Sequence, residues 1–164
     1  MTPTRSAGIL LHPTSLPGPF GIGDLGPAAA RWLEALSASG MKLWQVLPLG
    51  PTGYGDSPYQ CFSAFAGNPW LTSPEALVSD GLMSAAEIAT HPRFPDDAVD
   101  FGAMIDWKAG LLDRAHARFR SAPTPALATA YAEYRAAHAG WVDDFALFMA
   151  LKREHGGVAW TDWA

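Results

Sequence analysis

The sequence predicts an α/β protein that opens with a parallel β-α-β unit and continues as a mainly helical layer. Two short apolar runs, GILLH at 8–12 and KLWQVLPL at 42–49, flank a segment with helical periodicity. Strand, helix and strand fit within about forty residues, which calls for a parallel pair joined by a right-handed crossover. Beyond Trp70 the pattern turns to capped segments with helical spacing.

Each element follows from local chemistry. Gly8 to His12 is an apolar run stopped by Pro13, as expected of a buried strand. Ala29, Trp32, Leu33 and Leu36 recur at i, i+3, i+4 and i+7 and define one helix face. Asp24 or Gly26 can cap that helix, Pro27 suits its first turn, and Gly40 ends it. Lys42 to Leu49 forms the second strand, broken by Pro48. Ser73-Pro74-Glu75 starts a short helix that Gly81 ends, and Ser84 to Glu87 has capping-box spacing. Trp107, Leu111, Ala115 and Phe119 form an i, i+4 stripe. Thr124-Pro125 starts a helix with Leu127, Tyr131 and Tyr134 on one side. Trp141, Phe145, Phe148 and Leu151 mark a last helix before Gly156-Gly157.

In parallel sheets ligands bind beyond the carboxyl ends of the strands. Both Gly/Pro-rich segments, 13–23 and 50–70, follow strand ends and should lie side by side there. The second belongs to PLGPTGYGDSPYQCFSAFAGNPW (48–70), which combines five aromatic residues with a single charge, Asp56. Sugar rings present a C–H face and a rim of hydroxyls. Tyr54, Tyr59 and Trp70 can supply aromatic faces; Asp56, Ser57, Gln60 and Asn68 can hydrogen-bond the rim. Gly and Pro fix the backbone in advance, which lowers the ordering cost of binding. The loop's chemistry leaves a second reading open, an irregular loop whose rings pack inward.

Composition narrows the partners. Lys and Arg total 11 against 16 Asp and Glu in 164 residues, a formal charge of -5 without long charge runs. This argues against a nucleic-acid groove and an anionic membrane surface. Charged residues are 16%, against roughly 25% in an average domain, and there are 7 Trp, so some surface is meant to be covered. The one cysteine, Cys61, excludes an internal disulfide framework and reads as a packed, inert thiol. The apolar run Ala7 to Leu11 is too short for a signal-peptide core or a membrane span, so a cytoplasmic location is expected.

Other motifs carry less. Gly21-Ile22-Gly23-Asp24-Leu25-Gly26 matches G-x-G-x-x-G, but Pro13, Pro17 and Pro19 separate it from the strand. Asp24 would also put a carboxylate where a pyrophosphate belongs. His12, His91, His116, His138 and His155 show no paired metal spacing, so no metal and no cofactor is expected. His12, at a strand end, either lines a site or is a satisfied structural histidine.

The segments GILLHPTSLPGPFGIGDLG and WQVLPLGPTGYGDSPYQCFSAFAGNPW closely resemble the start of amylomaltases, the 4-alpha-glucanotransferases of glycoside hydrolase family 77. FGAMIDWK, WVDDFALFMALK and GGVAWTDW resemble the same family, so the likeness spans essentially the whole chain. The resemblance implies the N-terminal part of a (β/α)8 TIM barrel with a mainly helical insertion. It divides the chain into residues 1–70, the first β-α-β unit with a glucan-binding loop, and 71–164, a mainly helical subdomain. The barrel is incomplete in this chain, since such a barrel takes about 250 residues.

The activity implied is transfer of α-1,4-glucan segments to glucose or maltooligosaccharide acceptors by a retaining mechanism, which needs two facing carboxyl groups. In the family these come from later strands, so no catalytic residue is expected within these residues. The chain is read as an N-terminal fragment whose partners are α-1,4-glucans, maltooligosaccharides and the missing C-terminal part of the enzyme. The resemblance places Asp56, Ser57 and Tyr59 in the substrate-binding motif, with Ser57 and Tyr59 facing the sugar near the cleavage point. Tyr54 and an aromatic at position 101 correspond to a second glucan site. Phe101 stands where relatives often carry Tyr, keeping the ring and losing the hydroxyl. Cys61 and Trp70 stand where relatives often have Ser and Tyr. The rivals are a non-catalytic glucan-binding module and an inactive gene remnant.

Overall fold

The structure, a computed structural model, describes residues 5–163; the side chain of Tyr54 also lies outside the described part. Strand β1 (Gly8–Leu10) is followed by a 3-10 turn (Pro13–Ser15), helix α1 (Pro27–Ala38) and strand β2 (Leu43–Gln45). Two further 3-10 turns, Tyr54–Asp56 and Pro69–Leu71, mark the aromatic loop. Helices α2 (Pro74–Ser79), α3 (Ala85–Ala89), α4 (Phe101–Ser121), α5 (Pro125–Ala137) and α6 (Val142–Glu154) follow, then a 3-10 turn at Trp160–Asp162.

The two strands pair in parallel, in register Gly8↔Leu43, Ile9↔Trp44 and Leu10↔Gln45. The indole of Trp44 reinforces the pair by donating to Leu11 O at 2.7 Å. Two expectations need correction. The second strand covers 43–45 and not 42–49, because its partner ends at Leu10 and Val46 to Leu49 have no ladder to join. The first strand is not buried: Ile9 is 40% and Leu10 54% exposed, since a two-stranded sheet covers neither its outer edges nor both its faces.

Helix α1 begins at Pro27 as expected, with Gly26 as its cap residue. Of its predicted stripe, Ala29 and Leu36 are buried, Trp32 is half-buried and Leu33 is exposed. The capping box of α3 is present in full, with Ser84 and Glu87 each serving the other's backbone donor. Thr124 caps α5 through Leu127 N.

The core does not sit between the strands and α1. Phe20, from the segment after β1, packs with Leu77, Met83, Ile88, Leu111 and Ala115 of the α2–α4 region. Phe20 also stacks on Trp107, with ring centroids 5.5 Å apart. The predicted α4 stripe is therefore half core: Leu111 and Ala115 are buried, Trp107 and Phe119 partly so. The stripe predicted for α5 is only partly covered: Leu127 is half-buried and the Tyr131 ring packs edge-on against Phe119 of α4 at 5.2 Å, while Tyr131 and Tyr134 remain exposed. Helices α4, α5 and α6 are joined at the surface by Arg153–Asp113 and Arg135–Asp143. Exposed pairs of this kind contribute little stability.

Candidate functional site

The aromatic loop leaves β2 and returns to the start of α2 as a pinned excursion. Its base closes where Asn68 N donates to Leu49 O at 2.7 Å. Higher up, Phe62 N donates to Pro51 O, Thr52 and Cys61 form an antiparallel bridge, and Gly53 N donates to Gln60 O at 2.8 Å. At the tip, Asp56 N donates to Gly53 O and Gln60 N to Ser57 O. Gly55 and Asp56 are both left-handed, with φ of 66° and 53°. Asp tolerates that conformation better than most residues but still at a cost of about 1 kcal/mol or more. The loop is thus held in one shape before any ligand arrives.

This tip brings three of the expected site residues together. Tyr59 is 72% exposed, although a tyrosine usually buries much of its surface. Its backbone N–H donates to Ser57 Oγ at 3.3 Å, which leaves the Ser57 hydroxyl proton free to donate outward. Asp56 and Ser57 are half-buried. A flat ring, a hydroxyl and a carboxylate on a fixed turn can stack on and hydrogen-bond a neutral polyhydroxylated ring. Phe101 stands at the first position of α4, half-buried, directly after its cap Asp100. Its expected companion, the Tyr54 side chain, lies outside the described part.

Two other rings of the loop meet aromatic partners. Phe65 stacks on Trp141 at 6.0 Å, and Phe62 packs on Phe148 with Lys152 Nζ 4.9 Å from its ring centre. Both nonetheless stay open to solvent, Phe65 at 73% and Phe62 at 40%, so the inward-packing reading holds for them only in part, and Tyr59 is as exposed as Phe65. Asn68, expected to face a ligand, is buried and its Oδ1 accepts from Trp70 N at 2.9 Å; it caps the 3-10 turn instead. Cys61 is a packed thiol that donates to Pro58 O. His12 is a satisfied structural residue. Its Nδ1 lies 2.7 Å from Thr14 Oγ1 and its Nε2 lies 3.3 Å from Pro48 O. That contact joins the segments after β1 and β2, and Leu25 N donating to Leu71 O joins them again.

The glycine-rich motif serves packing. A Cβ on Gly23 would run into the Pro13 and Leu16 carbonyls, and one on Gly26 into Ser73 Oγ and the Asp24 carboxylate. Asp24 itself occupies the start of α1 and accepts from Gly26 N at 3.0 Å.

One residue that sequence reasoning missed is Lys108, 1% exposed in the middle of α4. Its Nζ donates to Trp70 O at 2.6 Å and Thr72 O at 3.0 Å, and lies 3.6 Å from Asp24 Oδ2. Burial pushes the Lys108 ammonium below its ordinary range, while Asp24 opposes that shift. Burial likewise pushes the Asp24 carboxyl upward against the pull of Lys108. The signal was present: Met104, Lys108, Leu111 and Ala115 share one helix face, and a lysine among three apolar residues needs a buried partner.

Fold and loop define an α/β protein that carries a pinned, aromatic, nearly uncharged excursion beyond its second parallel strand. Comparison with known proteins gives that class a family. The glycoside hydrolase family 77 model, described as 4-alpha-glucanotransferase, matches residues 11–164. The chain is 49% identical over 159 residues to a 4-alpha-glucanotransferase of Thermus thermophilus, covering 97% of this chain and 31% of that protein. It is 44% identical over 163 residues to a 4-alpha-glucanotransferase of Synechocystis sp., covering 99% and 32%. It superposes on an amylomaltase from Streptococcus agalactiae, solved in complex with acarbose, with TM-score 0.88 and 35% identity, covering 98% of this chain and 32% of that one. The chain belongs to glycoside hydrolase family 77. It spans about a third of the length of the relatives it matches.

Proposed function

We propose that this chain supplies the first part of a (β/α)8 barrel and the substrate-binding loop of a 4-alpha-glucanotransferase. In this reading the enzyme transfers α-1,4-glucan segments to glucose or maltooligosaccharide acceptors with retention. The observation that carries it is the exposed Tyr59 ring on a turn pinned in advance, within a chain matched by the family model over 11–164. Asp56, Ser57 and Tyr59 hold the sugar near the cleaved bond; Tyr54 and Phe101 hold a more distant stretch of glucan. In this reading the carboxylate nucleophile and the acid/base come from later strands of the barrel. Residues 1–70 form the barrel's first β-α-β unit and 71–164 its helical subdomain. Exposed Ile9, Leu10 and Leu43 on the strand pair fit a sheet that continues with further strands. A reducing, cytoplasmic setting fits the free thiol of Cys61. Among the described residues no helix is long and apolar enough to cross a membrane.

The test is a chimera: the Thermus thermophilus relative in which the aligned stretch is replaced by this chain. The expected result is disproportionation of maltotriose to glucose and longer maltosaccharides. A folded, monodisperse chimera that forms no such products overturns the reading.

A further inference from the structure

We infer that Lys108 is a positioning residue for the loop that carries Tyr59, an inference that rests on the function proposed above. A continuous line of hydrogen bonds runs from the base of that loop into the helical layer. Leu49 O accepts from Asn68 N at 2.7 Å; Asn68 Oδ1 accepts from Trp70 N at 2.9 Å; Trp70 O accepts from Lys108 Nζ at 2.6 Å. The same ammonium holds Thr72 O and faces Asp24, which in turn holds Gly26 at the start of α1.

One buried charge thereby ties three stretches that are distant in sequence: the segment after β1, the end of the loop after β2, and the middle of α4. The grip falls on backbone carbonyls, so it fixes the path of the main chain whatever side chains the loop carries. An ammonium also suits the task by geometry, since its three protons match the two carbonyls and the carboxylate around it. A hydrophobic residue at 108 would fill the space and leave both carbonyls without this donor. With the base released, the tip bearing Asp56, Ser57 and Tyr59 loses its fixed placement. A displacement of about 1 Å at a reacting centre can cost a hundredfold in rate.

The experiment separates positioning from mere stability. In the chimera, Lys108→Met strands Asp24 as a buried charge, whereas the pair Asp24→Asn with Lys108→Met removes both charges. The pair should melt well above Lys108→Met, yet keep a loss of about tenfold or more in kcat/KM for maltotriose. Placed on a Tyr59→Ala background, the same pair should add less than its full loss, because one of the three tip residues it positions is already gone. Parental kcat/KM in the charge-free pair overturns the inference, as does a loss that multiplies in full with that of Tyr59→Ala. Hydrogen exchange of residues 52–66 gives a reading independent of activity: faster exchange in the charge-free pair is expected, and unchanged exchange overturns the inference. If the parent chimera is inactive, or Tyr59→Ala is harmless, it is the proposed function that fails, and the exchange measurement still decides the role of Lys108.

Discussion

Lys108 Nζ and Asp24 Oδ2 lie 3.6 Å apart with their side chains 1% and 8% exposed, joining α4 to the start of α1. A buried pair of this kind gains little over an apolar replacement, but breaking it from one side is costly. Lys108→Met alone is expected to lose about 3–5 kcal/mol of stability. Asp24→Asn combined with Lys108→Met should recover a large part of that loss. Urea unfolding of the four proteins of the cycle checks it; equal losses in the single and double variants would show that the charge pairing is not what matters.

Glu87 gives a pH dependence whose sign can be worked out. Hydrogen bonds from Arg118 first, then Ser84, hold its carboxyl at about 2, below its ordinary 4.5. The group's contribution to stability is therefore complete above 4.5 and is lost as pH falls through about 2. It links α3 to α4 through two contacts, Arg118 Nη1 to Glu87 Oε2 at 2.8 Å and Nη2 to Oε1 at 2.6 Å. Glu87→Gln should flatten the acid limb of the stability curve in this window and leave the curve above pH 5 parallel to the parent's, with pH 5 taken as about half a unit above the ordinary value. Identical acid limbs would rule the pair out as a source of acid sensitivity.

The sequence made the local elements legible and the burial much less so. Caps were readable because they rest on single residues: Pro27 at the start of α1, Ser84 with Glu87 at α3 and Thr124 at α5 all stand where expected. The exposure of Ile9 and Leu10 was not readable, since an apolar run records what a strand packs against in a whole protein and not which neighbours are present. For the loop, its aromatic composition was plain, but not which rings gain aromatic partners. Those partners are Phe148 of α6 and Trp141 just before it, which engage Phe62 and Phe65 from far along the chain. Lys108 left a trace in its place on the apolar face of α4, but two of its partners are backbone carbonyls, which leave no mark in a sequence.

The 164 residues expressed by themselves are expected to self-associate. The strand pair has two open edges and presents Ile9, Leu10 and Leu43, with Leu33 exposed on the neighbouring helix. Unpaired edges and exposed apolar faces drive association. Sedimentation velocity should show oligomers whose size grows with concentration; a monodisperse monomer with a sharp cooperative melt would contradict this. The same preparation should not disproportionate maltotriose, because in the proposed reading the carboxylate pair lies elsewhere in the enzyme.

The central claim is that the loop after β2 places Tyr59 at the reacting sugar, and one comparison tests it most directly. In the chimera, kcat/KM for maltotriose and for amylose is measured in Tyr59→Ala and Tyr54→Ala, with melting temperature followed in both. Tyr59→Ala should lose about 2–4 kcal/mol of transition-state stabilisation on either substrate, the scale of a removed catalytic contact, without a matching fall in melting temperature. Tyr54→Ala should leave maltotriose nearly unaffected and change only the behaviour with amylose. Equal losses from both variants on both substrates, in step with a drop in stability, would contradict the account and make these rings part of the packing.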